Sequence, residues 1–214
     1  MPDQPRWCPP HPPHVHPVPR DGRRDCGVLE HVLRRQWDPA AGPPPPEVIA
    51  AVDRLAALPV HIASRLAAGL EGIWTGPGCV PDLDGLQHLR GQPVRPGAAH
   101  RWDDVPGALI GRTMAIGTGP HVSVSLVDHE VGHAMESFDA MAARPDWQAI
   151  MRRCRPLVRT GRYQDAREWW AEAFALCSTG HLRQLTRMLD DDAIVAEMVW
   201  AYYRLHYGLE ARRG

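Results

Sequence analysis

Residues 129–133, His-Glu-Val-Gly-His, constrain this chain more than any other stretch. Side chains four apart on an α-helix share a face, so His129 and His133 can offer two imidazoles to one metal ion. Glu130 stands beside them, where a carboxylate can take a proton from a metal-bound water. The spacing carries this chemistry only if the segment is helical. Two surface histidines on an ordinary helix would spell the same letters, so the motif needs support from elsewhere in the chain.

That support lies in residues 168–175, Glu-Trp-Trp-Ala-Glu-Ala-Phe-Ala. Glu168 and Glu172 again share one helix face, on a segment rich in aromatic residues and alanine. Carboxylates projecting from an apolar helix are costly to bury unless a positive group meets them. A zinc ion ligated by Glu168, with Glu172 holding a ligand imidazole from behind, supplies that group. The alternative is an exposed acidic stripe. Two His and one Glu would leave a fourth zinc position open, which is the catalytic rather than the structural arrangement.

Residues 1–20 are mostly proline and histidine, with almost nothing to bury, and are expected to be extended or disordered. His11, His14 and His16 could chelate a metal loosely, or belong to a solvated tail. Helical spacing of Val28, Leu29, Val32 and Leu33 predicts a short helix over 25–37. Pro43 to Pro46 reads as a stiff linker, so the expected division is 1–46 for tail, helix and linker and 47–214 for one compact domain. Within it, helices are predicted over 47–57 and 61–70, and strands over 72–75, 112–116 and 122–124. Ser125 is placed to cap a helix running through the His-Glu motif to about Ala143, with Gly132 a weak point that close approach of another backbone or a metal would explain. Further helices over 147–157, 165–179 and 190–211 make the second half helical. Strands are segregated from helices, which predicts an α+β fold, a small sheet plus an active-site helix.

The formal net charge of −1 points to neither nucleic acid nor an anionic membrane. All 24 basic residues are arginine, and lysine and asparagine are absent, as codon bias in a GC-rich genome would produce. Five cysteines without regular spacing form no disulfide framework and no paired-cysteine metal site. The N-terminus has no apolar secretory core and no run is long enough to span a membrane, so the default expectation is cytoplasmic. Export or injection without a cleaved signal would leave no trace in these residues.

These residues resemble the zincin catalytic domain shared by the anthrax lethal factor and the Pro-Pro endopeptidases. The matching features are His129-Glu-Val-Gly-His133 and Glu168-Trp-Trp-Ala-Glu-Ala-Phe174. Weaker matches run in the same order upstream: Leu89-Arg-Gly91, Arg101-Trp-Asp-Asp-Val-Pro-Gly107 and Met114-Ala-Ile-Gly117. The resemblance spans roughly residues 58–177. It implies zinc ligation by His129, His133 and Glu168, a general-base role for Glu130 and a supporting role for Glu172.

It also implies a tyrosine two helical turns before the glutamate ligand, whose hydroxyl stabilises the oxyanion. Gly161 occupies that position, and Tyr163 is the nearest substitute. Tyr202, Tyr203 and Tyr207 lie at core-like spacing in the last helix. Glu136 could buttress a ligand imidazole, line the cleft or face solvent. The substrate in such enzymes lies extended along an edge strand, for which the 114–117 segment is the expected choice.

The leading expectation is a zinc-dependent metalloendopeptidase acting on a peptide or protein, with no nucleic-acid or membrane partner. Two alternatives stand beside it. One is a catalytically silent zinc-binding module of the same fold, the other a regulatory protease specific for one protein.

Overall fold

Proline starts the first two helices. α1 (Pro46–Ala56) opens with Pro46 in its first turn, and α2 (Val60–Gly69) follows Pro59. A proline at a helix start costs no hydrogen bond, because the first N–H groups have no partner within the helix. α1 buries Val48, Val52 and Leu55, the spacing of one helical face. The computed structural model describes residues 7–209. Contacts divide the chain into two units, Met1–His121 and Val122–Gly214.

The first unit carries a four-stranded sheet. Its strands are β1 (Leu33–Arg35), β2 (Gly72–Thr75), β3 (Gly107–Ile110) and β4 (Thr113–Ile116), in the order β1-β2-β4-β3. β1 and β4 both run parallel to β2, with Leu33 opposite Ile73 and Ile73 opposite Met114. β3 pairs antiparallel with β4, Ala108 facing Ala115. The two-residue turn between them places Gly111 at φ 60°, where a side chain would be strained.

Three expectations are corrected here. Residues 25–37 form a 3₁₀ turn (Gly27–His31) followed by β1, not one helix. Leu33 and Arg35 point inward with period two, and the inward Arg35 is what hid the strand from a hydrophobic pattern. Its guanidinium, 1% exposed, meets both oxygens of Glu30 at 2.7 Å and the carbonyls of Gly22 and Arg24 at 3.1 and 2.7 Å. The 114–117 segment is not an edge, because β4 lies between β2 and β3, so the outer strands are β1 and β3. Residues 122–124 form no strand. The segment read as tail and linker meanwhile supplies β1 to the sheet and Cys8 and Trp37 to a buried cluster with Val48.

The second unit is helical: α3 (Leu126–Asp139), α4 (Pro145–Cys154), α5 (Ala166–Ser178), α6 (Leu182–Met188) and α7 (Ala193–Tyr207). Side-chain caps start three of them. Ser125 accepts from the Asp128 N–H, Asp165 from Arg167 and Glu168, and Asp192 from Ile194 and Val195. α3 stops at Ala140, in the left-handed region at φ 49°, and the expected continuation to Ala143 is a separate 3₁₀ turn. α7 ends at Gly208, φ 59°, short of Ala211, which lies outside the described residues, as do residues 1–6 of the expected tail.

Trp147, Trp170 and Tyr203 centre this unit's core, with ring centroids 4.7 Å apart for the two indoles and 4.9 Å for Trp170 and Tyr203. Each buried ring of this size contributes about 1.5–3 kcal/mol of hydrophobic stabilisation. The polar tips are also used: Tyr203 Oη donates to the Trp170 carbonyl at 2.7 Å, and Trp170 Nε1 to the Gly132 carbonyl at 3.1 Å. The second bond ties α5 to the middle of α3. No helix among the described residues is long and apolar enough to cross a membrane.

Candidate metal centre

α3 and α5 run close enough to share a site because Gly132 has no side chain. A Cβ built there would lie 2.8 Å from Ala171 Cα, 3.0 Å from the Ala171 carbonyl oxygen and 3.1 Å from Phe174 Cβ. The glycine that weakens α3 as an isolated helix therefore lets the α5 backbone approach. His129 and His133 of α3 then face Glu168 of α5.

One ligand atom from each of His129, His133 and Glu168 lies within 4.8 Å of the others, so the three can hold a metal ion. His133 Nε2 is 3.5 Å from Glu168 Oε1, and His129 Nε2 is 3.8 Å from Glu168 Oε2. The histidine rings meet edge to face with centroids 4.8 Å apart. His129 is buried, whereas His133 and Glu168 are partly open.

Glu172, one helical turn beyond Glu168, lies behind His129. Its Oε2 is 3.1 Å from His129 Nδ1. An ionised carboxylate only accepts, so Nδ1 carries the proton and the Nε2 lone pair is turned toward His133 and Glu168. Burial works to raise the Glu172 pKa. Hydrogen bonds from His129, Ser123 and the Val124 N–H outweigh it and hold the carboxyl below its usual range, hence ionised at neutral pH. Burial and the neighbouring His129 push His133 down to about 4, which keeps its imidazole neutral, the form that ligates metals. Replacing Glu172 with Ala should weaken metal binding about 10–100-fold, measured by competition with a chromophoric chelator. Unchanged affinity would mean that packing alone orients His129.

Glu130 is 3% exposed, and its Oε2 has no hydrogen-bond partner among the described residues. Burial, reinforced by the nearby Glu168, lifts its pKa to about 7. A buried carboxyl oxygen without a partner is expensive to keep. It fits a site that completes its contacts with a metal ion and a water, and the His-His-Glu donor set fits the same ion.

Two further expected residues are placed less simply. Tyr163 is 5% exposed and packs edge-on against Trp169 with ring centroids 6.1 Å apart. Burial, followed by the Glu172 charge, raises its pKa. Glu136 does not face solvent; it is buried and pairs with Arg167 at 3.5 Å.

Arg162 is the site residue that sequence reasoning missed. Its Nε donates to Glu168 Oε2 at 2.8 Å, and its NH2 group points at His129 Nε2, 3.4 Å away. Burial opposes its charge, but the Glu168 carboxylate outweighs that and raises the arginine pKa further. It lies in the 3₁₀ turn Gly161–Gln164 that leads into α5. The only sequence signal was its place beside Tyr163, six residues before Glu168.

No protein-family model matches this chain, and no curated protein matches it. Among solved structures, the Pro-Pro endopeptidase PPEP-2 from Paenibacillus alvei is similar. The TM-score is 0.63 and the identity 21%, covering 82% of this chain and 100% of that one. At that identity the likeness shows the fold alone, a mixed α+β arrangement with a small four-stranded sheet.

Proposed function

We propose that the protein is a zinc-dependent metalloendopeptidase whose ion is held by His129, His133 and Glu168. The observation that carries this reading is the convergence of those three side chains beside a buried Glu130 whose Oε2 has no partner. A silent scaffold has no use for such a carboxyl. The fold shared with a Pro-Pro endopeptidase supports the choice of a peptide as substrate, and proline-flanked bonds are the first to test. Zinc suits two imidazoles and a carboxylate, and when bound it supplies Lewis acidity that polarises a carbonyl and acidifies water.

The chain's own residues divide the remaining work. Glu172 fixes the His129 tautomer, so that the ring presents its lone pair without rearranging. Glu130 accepts a proton from the attacking water as the new C–O bond forms, then delivers it to the peptide nitrogen as the C–N bond breaks. A carboxyl with a pKa lifted to about 7 is suited to both transfers near neutral pH.

A second reading is a metal-binding module without turnover, and one observation favours it. Tyr163, the expected oxyanion donor, is buried against Trp169 at 5% exposure. Metal analysis and cleavage of a mixed peptide library, run on the same preparation, separate the two readings. Stoichiometric zinc with cleavage supports the peptidase; stoichiometric zinc with every peptide intact supports the module.

A further inference from the structure

We infer that Arg162, rather than Tyr163, is the catalytic residue that donates a hydrogen bond to the scissile carbonyl oxygen as it becomes an oxyanion. That role presupposes the peptidase activity proposed above. The two neighbours in sequence differ in how open they are, Arg162 exposed and Tyr163 buried. Tyr163 is buried with its ring edge-on to Trp169, and the nearby Glu172 charge acts on its hydroxyl. A phenol that is 5% exposed offers almost no open face to a substrate carbonyl.

Arg162 is on the Nε2 side, where the three ligand atoms converge. Its Nε is anchored on Glu168 Oε2 at 2.8 Å, and its guanidinium lies 6.0 Å from the centroid of the Tyr163 ring. The side chain is 48% exposed, so it borders the open side of the site. Its NH2 group points at His129 Nε2 across 3.4 Å. A metal held by that nitrogen would take up its lone pair and leave the arginine N–H aimed at it free to donate elsewhere, with the Nε bond to Glu168 kept. The released donor belongs to a permanently charged, planar group beside the metal ligands.

In the attack step the water oxygen bonds to the carbonyl carbon, and the C=O π pair moves onto the carbonyl oxygen. Arg162 donates a hydrogen bond to that oxygen and keeps its proton. The pair returns when the C–N bond breaks, and the nitrogen leaves with the proton that Glu130 carried. Removing one preorganised oxyanion donor costs about 100–1000-fold in kcat.

The test compares full-length wild type with Arg162→Gln and Arg162→Lys. It reads zinc affinity by chelator competition, inorganic phosphate binding to the zinc-loaded protein by calorimetry, and kcat and KM on a peptide chosen from the library. The expectation for Arg162→Gln is zinc affinity within about threefold, phosphate binding at least about tenfold weaker, and kcat about 100–1000-fold lower with KM nearly unchanged. Arg162→Lys should fall between, because it keeps the charge and loses the planar fork. Phosphate bound equally by wild type and Arg162→Gln would overturn the assignment. So would a loss of zinc affinity that accounts for the whole loss of rate, which would make Arg162 a prop for Glu168. If wild type cleaves no peptide, the peptidase reading falls by itself. The phosphate comparison still decides whether Arg162 is the anion donor of this site.

Discussion

Glu130→Gln should reduce peptide cleavage by about 100–10,000-fold while leaving one zinc per chain. The amide keeps the size and shape of the side chain but cannot accept a proton from water at neutral pH. Glu130 is not among the three residues whose ligand atoms converge, so metal content should not change. Folding should be preserved or slightly improved. The wild-type carboxyl is buried with an unpartnered oxygen and a pKa lifted to about 7, so removing its charge removes a desolvation cost. The measurement is metal content, thermal melting and turnover on one preparation. Full activity in the variant would remove Glu130 from the mechanism, and loss of zinc would mean it belongs to the ligand set.

The second large effect is structural and lies one residue from His133. Gly132→Val should destabilise the protein by about 3 kcal/mol or more, read as a lower urea midpoint. Its added carbons enter the space where a single Cβ would already be 2.8 Å from the Ala171 backbone. The atom in the way belongs to the main chain of α5, so no side-chain rotation relieves it. Gly132→Ala should cost less, because about 1 kcal/mol of improved helix propensity offsets part of the overlap. Metal affinity should fall in the same order as stability, since spreading α3 from α5 separates His129 and His133 from Glu168. A stable valine variant with unchanged zinc binding would show that the two helices can separate without disturbing the site.

Much of the second unit was legible because its signals are local. The four-residue spacings of His129 with His133 and of Glu168 with Glu172 have one geometric meaning on a helix. Ser125 and Asp165 announce helix starts through their own hydrogen bonds. The interruption at Gly132 pointed to a close approach, and Ala171 makes it. The first unit was less readable. Leu33 and Arg35 alternate as a strand does, but a buried arginine neutralised by Glu30 does not look like a core residue. β3 was also missed, because its four residues are each only half buried and leave a weak pattern.

The sequence by itself determined which side chains can bind a metal, which carboxylate can act as a base, and that helices must present them, because those properties depend on residue type and period. Tertiary structure alone decided how the supporting groups are shared around His129. Tyr163 and Arg162 are adjacent in the chain, and nothing local says which is buried and which reaches His129 Nε2. The turn entering α5 decides it, burying the phenol against Trp169 and swinging the guanidinium onto Glu168. Position around a ring follows from the path of the backbone in space, and residue spacing cannot encode it where the chain leaves regular helix.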